Sequence, residues 1–159
     1  MDFYDVYDSP AGRLYLRASG SALTGLSFVP YPEQDGETSD LLASVKQWLD
    51  GYFSGKDSAL NFAIDLQGTA FQKLVWQMLA EIPFGQTRTY GEIATDAAKR
   101  MGRERMSSQA VGQAVGRNPV AIIIPCHRVM GAGKRLTGYA YGVERKLWLL
   151  EHERRESRG

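Results

Sequence analysis

Phe3 to Tyr7 and Arg13 to Ala18 alternate apolar and polar positions on either side of Ser9-Pro10-Ala11-Gly12, the pattern of two half-buried strands joined by a hairpin. Ala22 to Val29 supplies a third strand, ended by Pro30 and Pro32. The polar stretch Tyr31–Asp40 reads as a loop. Ser39 then caps a helix whose apolar positions Leu42, Val45, Trp48, Leu49 and Tyr52 recur at helical spacing until Gly55. Asn61 to Leu66 fits one further strand. The expected unit is a small α/β sheet-plus-helix lobe over residues 1–67, with no chemical motif in it.

From Gly68 the period changes to that of helices. Thr69-Ala70-Phe71-Gln72 fits a capping box, followed by Phe71, Leu74, Val75, Met78, Leu79 and Ile82 on one helix face, until Pro83-Phe84-Gly85. A second capping box, Thr89-Tyr90-Gly91-Glu92, starts a helix through Ile93, Ala94 and Ala97 toward Met101. A polar, basic turn follows, and Ser107 or Ser108 caps a third helix ending near Gly116. Two helices joined by a turn in a basic region predict a helix-turn-helix. Pro119 breaks the pattern, Val120–Ile124 reads as a buried strand or extended run, and Val143–Glu153 as a final helix carrying Leu147, Trp148 and Leu150. This second lobe spans residues 68–155, with 156–159 as a tail. The sequence contains no internal repeat.

Composition narrows the class. The 159 residues are 43% hydrophobic and 23% charged, as in a globular protein able to bury a core. No apolar run approaches the roughly 20 residues of a membrane-spanning helix. The start, Met1-Asp2-Phe3-Tyr4-Asp5, is acidic where an export signal is basic, so a cytoplasmic location and no membrane partner are expected. A single cysteine excludes an internal disulfide, and with two histidines it leaves little for a structural zinc site. No metal and no cofactor are expected. The net charge of +1 hides an asymmetry: residues 1–69 hold 4 Lys/Arg against 10 Asp/Glu, and residues 99–135 hold 8 basic residues against Glu104 alone. A split this sharp points to a polyanionic partner for the second lobe.

Two segments carry candidate chemistry. The third helix of the second lobe contains Ala110, Gly112, Ala114 and Gly116. Glycine inside a helix costs about 1 kcal/mol relative to alanine, so two of them need a reason. One reason is tight packing against a neighbouring helix. The other is a face nearly free of side chains that approaches a second backbone, such as the B-DNA minor groove, only about 6 Å wide. Small residues with flanking arginines suit that groove. The second segment is Ile124-Pro125-Cys126-His127-Arg128-Val129. A cysteine becomes a nucleophile as its thiolate, so a base must take the proton. Adjacent residues of an extended chain point to opposite sides, which disfavours direct contact of Cys126 with His127. A water-bridged relay or a local turn remains open.

From about Gly68 to Glu153 the sequence resembles the methylated-DNA–protein-cysteine methyltransferases, also called O6-alkylguanine-DNA alkyltransferases. The resemblance rests on Phe71-Gln72 with Val75-Trp76, Ile82-Pro83-Phe84-Gly85, Thr89-Tyr90-Gly91-Glu92-Ile93-Ala94 and Ala110-Val111-Gly112. It continues in Asn118-Pro119, Pro125-Cys126-His127-Arg128-Val129, Gly138-Tyr139 and Arg145-Lys146-Leu147-Trp148-Leu149-Leu150. It implies a two-lobe α/β architecture, with a ribonuclease-H-like N-terminal sheet and a mostly helical, winged-helix-like helix-turn-helix lobe. It also implies direct-reversal repair: an alkylated guanine is flipped out of double-stranded DNA, as chemistry on a stacked base requires. The alkyl group of O6-alkylguanine, or of O4-alkylthymine, then passes irreversibly to the protein's own cysteine. The implied partner is double-stranded DNA containing O6-alkylguanine, and the implied working unit is a monomer.

Residue by residue, Cys126 matches the family's nucleophile, His127 the base acting through a water, Glu153 the carboxylate that orients the histidine, and Asn118 the asparagine that holds the cysteine turn. Tyr90 matches the tyrosine that assists flipping and hydrogen-bonds the departing guanine. The Val129 carbonyl and the backbone N–H groups of Tyr139 and Ala140 match the contacts to the guanine edge. Thr89, Gln109, Ala110, Gly112, Gln113 and Arg117 match the DNA-binding face. The sequence departs from the family pattern in three places. Gln109 stands where an arginine usually fills the gap left by the flipped base. Ala97–Met106 is longer and more basic than usual. Tyr141 replaces a small residue at the pocket rim, where its ring is expected to discriminate against benzyl-sized groups. A thioether is a poor leaving group and no second thiol is present to reverse it, so one event per molecule is expected. The competing reading is a non-catalytic helix-turn-helix protein that binds alkylated bases; such relatives lack the cysteine, so Cys126 argues against it. A cysteine hydrolase is the third reading and needs no DNA.

Overall fold

Pro10 and Ala11 turn the chain between β1 (Asp2–Ser9) and β2 (Gly12–Ser19), which pair antiparallel from Asp2↔Ser19 to Ser9↔Gly12. In the computed structural model, which describes residues 1–33 and 36–157, β2 continues antiparallel to β3 (Ala22–Ser27) with a bulge at Arg17/Ala18. Ser39 accepts a hydrogen bond from the Leu42 N–H and starts α1 (Asp40–Phe53), as its capping chemistry predicts. Leu14, Leu16, Ala18, Leu23 and Leu26 of the sheet and Leu42, Val45, Leu49 and Tyr52 of α1 are all buried. Positions 34–35 of the expected loop and 158–159 of the expected tail lie outside the described residues.

The strand expected over 61–66 shrinks to β4 (Ala63–Ile64), parallel to the start of β3 and last in the order β1-β2-β3-β4. The reason lies on the β3 edge. Beyond Leu23 that edge is taken by the C-terminal lobe: the Leu26 N–H donates to the Pro119 carbonyl at 3.0 Å and the Ala121 N–H donates to the Leu26 carbonyl at 2.9 Å. The segment Val120–Ile124 is therefore not a strand. It makes one parallel bridge, Leu26↔Val120, and then folds into a turn.

Helices α2 (Ala70–Ala80) and α3 (Tyr90–Arg100) both start with complete capping boxes, from Thr69–Gln72 and Thr89–Glu92. Ser107 caps α4 (Ser108–Gly116), which makes α3 and α4 the helix-turn-helix pair. On α2 the buried stripe is Val75, Trp76, Met78 and Leu79, while Phe71 and Leu74 are half-buried. The Trp76 indole N–H reaches the Ala114 carbonyl at 2.8 Å and locks α2 to α4. A short parallel pair, β5 (Arg88–Thr89) with β6 (Val129–Met130), ties the start of α3 to the chain just after Cys126.

The last helix, α5 (Val143–Ser157), runs past the expected end at Glu153. Its buried face is Lys146, Leu149, His152 and Glu153; Leu147 is exposed, and Trp148 and Leu150 are half-buried. Three of those four inward side chains are titratable. One apolar cluster runs from Leu14 in the sheet to Leu149 in α5, so both lobes share a core. Among the described residues no helix is long and apolar enough to cross a membrane.

Trp76→Phe removes the indole bond to α4 and leaves part of its space unfilled. A loss of about 1–3 kcal/mol in urea denaturation is expected. An unchanged unfolding midpoint contradicts the role given to Trp76.

Candidate functional site

The chain between Asn118 and Val129 forms two tight turns, and their geometry sets the position of the cysteine. Ile122 has φ +68°, a left-handed conformation costing a β-branched residue of order 1–2 kcal/mol. Asn118 stabilises this turn from both sides: its side-chain amide donates to the Ile124 carbonyl at 2.7 Å, and its oxygen accepts from the Val120 N–H at 3.0 Å. Cys126–Arg128 then form a single 3-10 turn. The local turn left open by the sequence is what occurs, and Cys126, His127 and Arg128 are all buried in it.

His127 and Arg128 both reach Glu153 on α5. His127 Nε2 lies 2.6 Å from Glu153 Oε2. Arg128 donates from Nε to Oε1 at 2.8 Å, from Nη2 to Oε2 at 3.1 Å, and from Nη1 to the Ile82 carbonyl at 2.6 Å. The Gly85 N–H adds a donor to Oε1 at 3.3 Å. Gly85 sits at φ +80°, and a Cβ there would meet the Ser157 hydroxyl at 2.8 Å, so the approach of that N–H depends on glycine. The fifth donor comes from the other lobe: the Tyr52 hydroxyl of α1 donates to Oε2 at 2.6 Å. The N-terminal lobe, expected to lack chemistry, thus reaches the centre of the site.

The charges assign the protonation states. Burial raises the Glu153 carboxyl, but the Arg128 guanidinium charge and the hydrogen bonds from Arg128 and His127 outweigh it and hold the group far below the usual carboxylate range. Arg128 neutralises it, so no second cation is needed there. Burial, opposed by Glu153, drives His127 below the ordinary histidine value, which keeps the imidazole neutral. A carboxylate only accepts, so Nε2 carries the ring proton and Nδ1 the free lone pair. Nδ1 has no hydrogen-bond partner among the described residues. Burial pushes the Cys126 thiol up, opposed by Asn118, Tyr139 and the charge of Lys146. Lys146, buried and within 3.4 Å of the Thr137 hydroxyl and the Gly138 carbonyl, is itself lowered to about 8 by desolvation. A protonated thiol beside a neutral base is the resting arrangement.

The remaining sequence candidates fall into two groups. Thr89, Tyr90, Gln109, Gly112 and Gln113 line one open groove of about 840 Å³, together with Ala132 and Gly133. Ala110 and Arg117 lie on its far flank, where α4 meets α2. A Cβ on Gly112 would meet only the Tyr90 ring, at 3.8 Å, and one on Gly116 would meet nothing within 4 Å. Tight helix packing therefore does not explain these glycines. Arg103, Arg105 and Arg117 are exposed and form no ion pair among the described residues.

The second group is the loop before α5. Tyr139 is half-buried, and its hydroxyl lies beside Cys126 with no hydrogen bond of ordinary geometry among the described residues. Ala140 is exposed and Val129 is buried in β6. The Tyr141 ring packs edge-on against Phe28, at 5.3 Å, and against Tyr139, at 5.5 Å. Arg145 of α5 fixes this loop: it donates to the Tyr141 and Ala11 carbonyls and lies 4.7 Å over the Phe28 ring. No group of three His, Cys, Asp or Glu able to hold a metal occurs among the described residues.

Comparison with known proteins gives a consistent picture. The family model for the DNA-binding domain of 6-O-methylguanine DNA methyltransferase matches residues 70–155, and that for its ribonuclease-like domain matches residues 3–66. A methylated-DNA–protein-cysteine methyltransferase of Mycobacterium leprae is 46% identical over 94% of this chain and 90% of its own. One from Methanosarcina acetivorans is 40% identical over 95% and 97%. The crystal structure of the Mycobacterium tuberculosis O6-methylguanine methyltransferase superposes with a TM-score of 0.83 at 42% identity, covering 98% of this chain and 94% of that one. The Mycobacterium tuberculosis OGT in complex with DNA gives a TM-score of 0.81 at 43% identity, covering 97% and 94%.

The depressed value of His127 makes stability depend on pH. The unfolded chain binds this proton near pH 6.5 and the folded one only at lower pH, so the contribution is complete above about 6.5 and lost as pH falls. Urea denaturation between pH 7.5 and 5.5 is expected to show falling stability, with a shallower slope in His127→Asn. Equal slopes in the two proteins contradict a neutral buried imidazole.

Proposed function

The chain belongs to the 6-O-methylguanine DNA methyltransferase family, and from that premise we propose that it repairs DNA by moving the alkyl group of O6-alkylguanine onto its own Cys126. The observation that carries this reading is the lone buried thiol in the same turn as a neutral histidine whose outer nitrogen is held by Glu153 and whose inner lone pair is free. Cys126 loses its proton to His127 Nδ1 through a water. The thiolate attacks the alkyl carbon, a C–S bond forms, and the C–O6 bond breaks with its electron pair leaving on the guanine. Tyr90 donates a hydrogen bond to that departing base. Lys146, behind the loop, favours the thiolate as it forms. A thioether does not leave, so each molecule acts once.

Duplex DNA enters along the open α4 face. Gly112 and Gly116 keep that face low enough for a narrow groove, Thr89, Ala110, Gln113 and Arg117 flank it, and the free cations Arg103 and Arg105 meet phosphates. The flipped base lies between Tyr90, the Val129 carbonyl and the N–H groups of Tyr139 and Ala140. Tyr141, packed on Phe28, narrows the rim and favours small alkyl groups, with O4-alkylthymine as a second substrate. Residues 1–67 form the ribonuclease-H-like lobe and residues 68–155 the transfer lobe. The short β5–β6 pair and the Gly131↔Arg135 bridge beside the α3–α4 pair support a winged-helix reading of the transfer lobe. The protein works as a cytoplasmic monomer. A non-catalytic binder of alkylated bases is not favoured, because Cys126 and its base are both in place.

Intact-mass analysis after mixing with duplex carrying O6-methylguanine is expected to show one added methyl per chain, on the peptide containing Cys126. Cys126→Ala retains duplex binding and gains no mass. More than one repaired lesion per chain rules out the single-use reaction.

Gln109 tests the DNA face separately. Glutamine is neutral and has two side-chain donors where arginine has five on a flat, stacking group, so it holds the gap in a base stack less well. Gln109→Arg is expected to speed duplex repair by about 3- to 10-fold, equivalent to roughly 1 kcal/mol, and to leave transfer from the free alkylated base unchanged. Duplex repair by Gln109→Ala at the parent rate assigns the wedge to another residue.

A further inference from the structure

Tyr52 belongs to α1, on the N-terminal lobe, yet it is held at both ends by consecutive residues of α5. Its backbone carbonyl accepts from His152 Nε2 at 2.8 Å, and its hydroxyl donates to Glu153 Oε2 at 2.6 Å. The ring is fixed by neighbours on every side: Trp48 stacks on it at 5.7 Å, and Phe53, Phe84 and His152 lie 5.0–5.8 Å away. Phenylalanine would fill this space equally well. The hydroxyl is therefore not explained by packing, and what it touches is the carboxylate oxygen that also binds the histidine.

We propose that Tyr52 is a positioning residue of the transfer reaction: by sharing Glu153 Oε2 with His127, its hydroxyl fixes the carboxylate and sets how strongly the imidazole holds a proton. Two donors 2.6 Å from one oxygen draw on the same lone pairs. Each weakens the bond the other makes. With the phenol present, Glu153 is a poorer partner for an imidazolium, and His127 stays neutral and ready to accept the thiol proton. Burial and Glu153 push the Tyr52 phenol well above its ordinary value, so it remains a donor throughout the working range. The other groups facing this pair are Arg128, bonded to both carboxylate oxygens, the Gly85 N–H, and the Lys146 charge, felt by His127 and Cys126. Tyr139 and the thiol complete the surround on the Cys126 side. Among the described residues every other donor to Glu153 lies in the C-terminal lobe, so through the Tyr52 bond the N-terminal lobe acts on chemistry it does not itself contain.

The inference rests on transfer to Cys126, and the experiment separates the two. The rate of methyl transfer from a duplex carrying O6-methylguanine is measured from pH 5 to 9 in the full-length protein, with the product located by mass. Absence of methyl on Cys126 in the parent overturns the transfer reading itself. Given transfer, Tyr52→Phe is expected to move the midpoint of the acid limb upward by about 0.5–1 pH unit, as loss of one donor to a buried carboxylate raises the proton affinity of its other partner. Replacing Tyr52 by 3-fluorotyrosine, nearly isosteric and a stronger donor, is expected to move the midpoint the other way, and this variant serves if Tyr52→Phe does not fold. A tyrosine with a purely structural role lowers the melting temperature and leaves the midpoint in place. A midpoint unmoved by either replacement, in protein that binds duplex as the parent does, overturns the proposal.

Discussion

A carboxylate buried in a protein core must be compensated, and the burial of Glu153 organises this molecule. It is about 1% exposed and receives, among the described residues, five donors from four residues in three parts of the chain: Tyr52 of α1, Gly85 in its turn, and His127 and Arg128 in the 3-10 turn that starts at Cys126. Removing one partner of such a group typically costs about 3–5 kcal/mol, because a charge is left unpaired. The two lobes, the cysteine turn and the final helix are thereby fixed to one another around a single charge. The apolar cluster that spans both lobes supplies bulk stability, but hydrophobic burial is non-directional. The bonds to Glu153 are directional and set the register between the parts they join.

The same compensation determines the chemistry. With Arg128 carrying the positive charge, the histidine beside it is left neutral, and the thiol next along the chain is left protonated. That resting state is unreactive, which suits a nucleophile that can be spent only once. In the transfer proposed above, reactivity appears once the thiol proton has passed to His127. The two Asn118 bonds hold Ile122 in its costly left-handed conformation, and with it the tight turn that carries Cys126.

Much of this was legible in the sequence, and the parts that were not share a cause. Caps announce themselves in short motifs: Ser39, Thr69, Thr89 and Ser107 all cap the helices expected of them. The strands of the hairpin follow simple alternation. The final helix is legible as an element but its inward face is not: Lys146, Leu149, His152 and Glu153 are mostly titratable, and apolar periodicity picks out Leu147, Trp148 and Leu150 instead. Five apolar residues at 120–124 suggest a buried strand or extended run; what overrides the strand is Asn118, whose two bonds close a turn. In the sequence Tyr52 is one more member of an apolar helix stripe, since nothing local shows that its hydroxyl meets a residue 101 positions away. Spacing of His152 and Glu153 seven residues and less from Lys146 was the one signal that α5 buries charge.

The central claim is that Arg128 balances Glu153 and leaves His127 neutral, protonated on Nε2 and open on Nδ1. Nitrogen-15 NMR of the histidine side chains in the unalkylated protein at pH 7 tests it most directly. The account predicts the neutral Nε2–H tautomer for His127, with an Nε2 proton shifted far downfield by its short bond to the carboxylate. An imidazolium at that pH, or a proton on Nδ1, contradicts it.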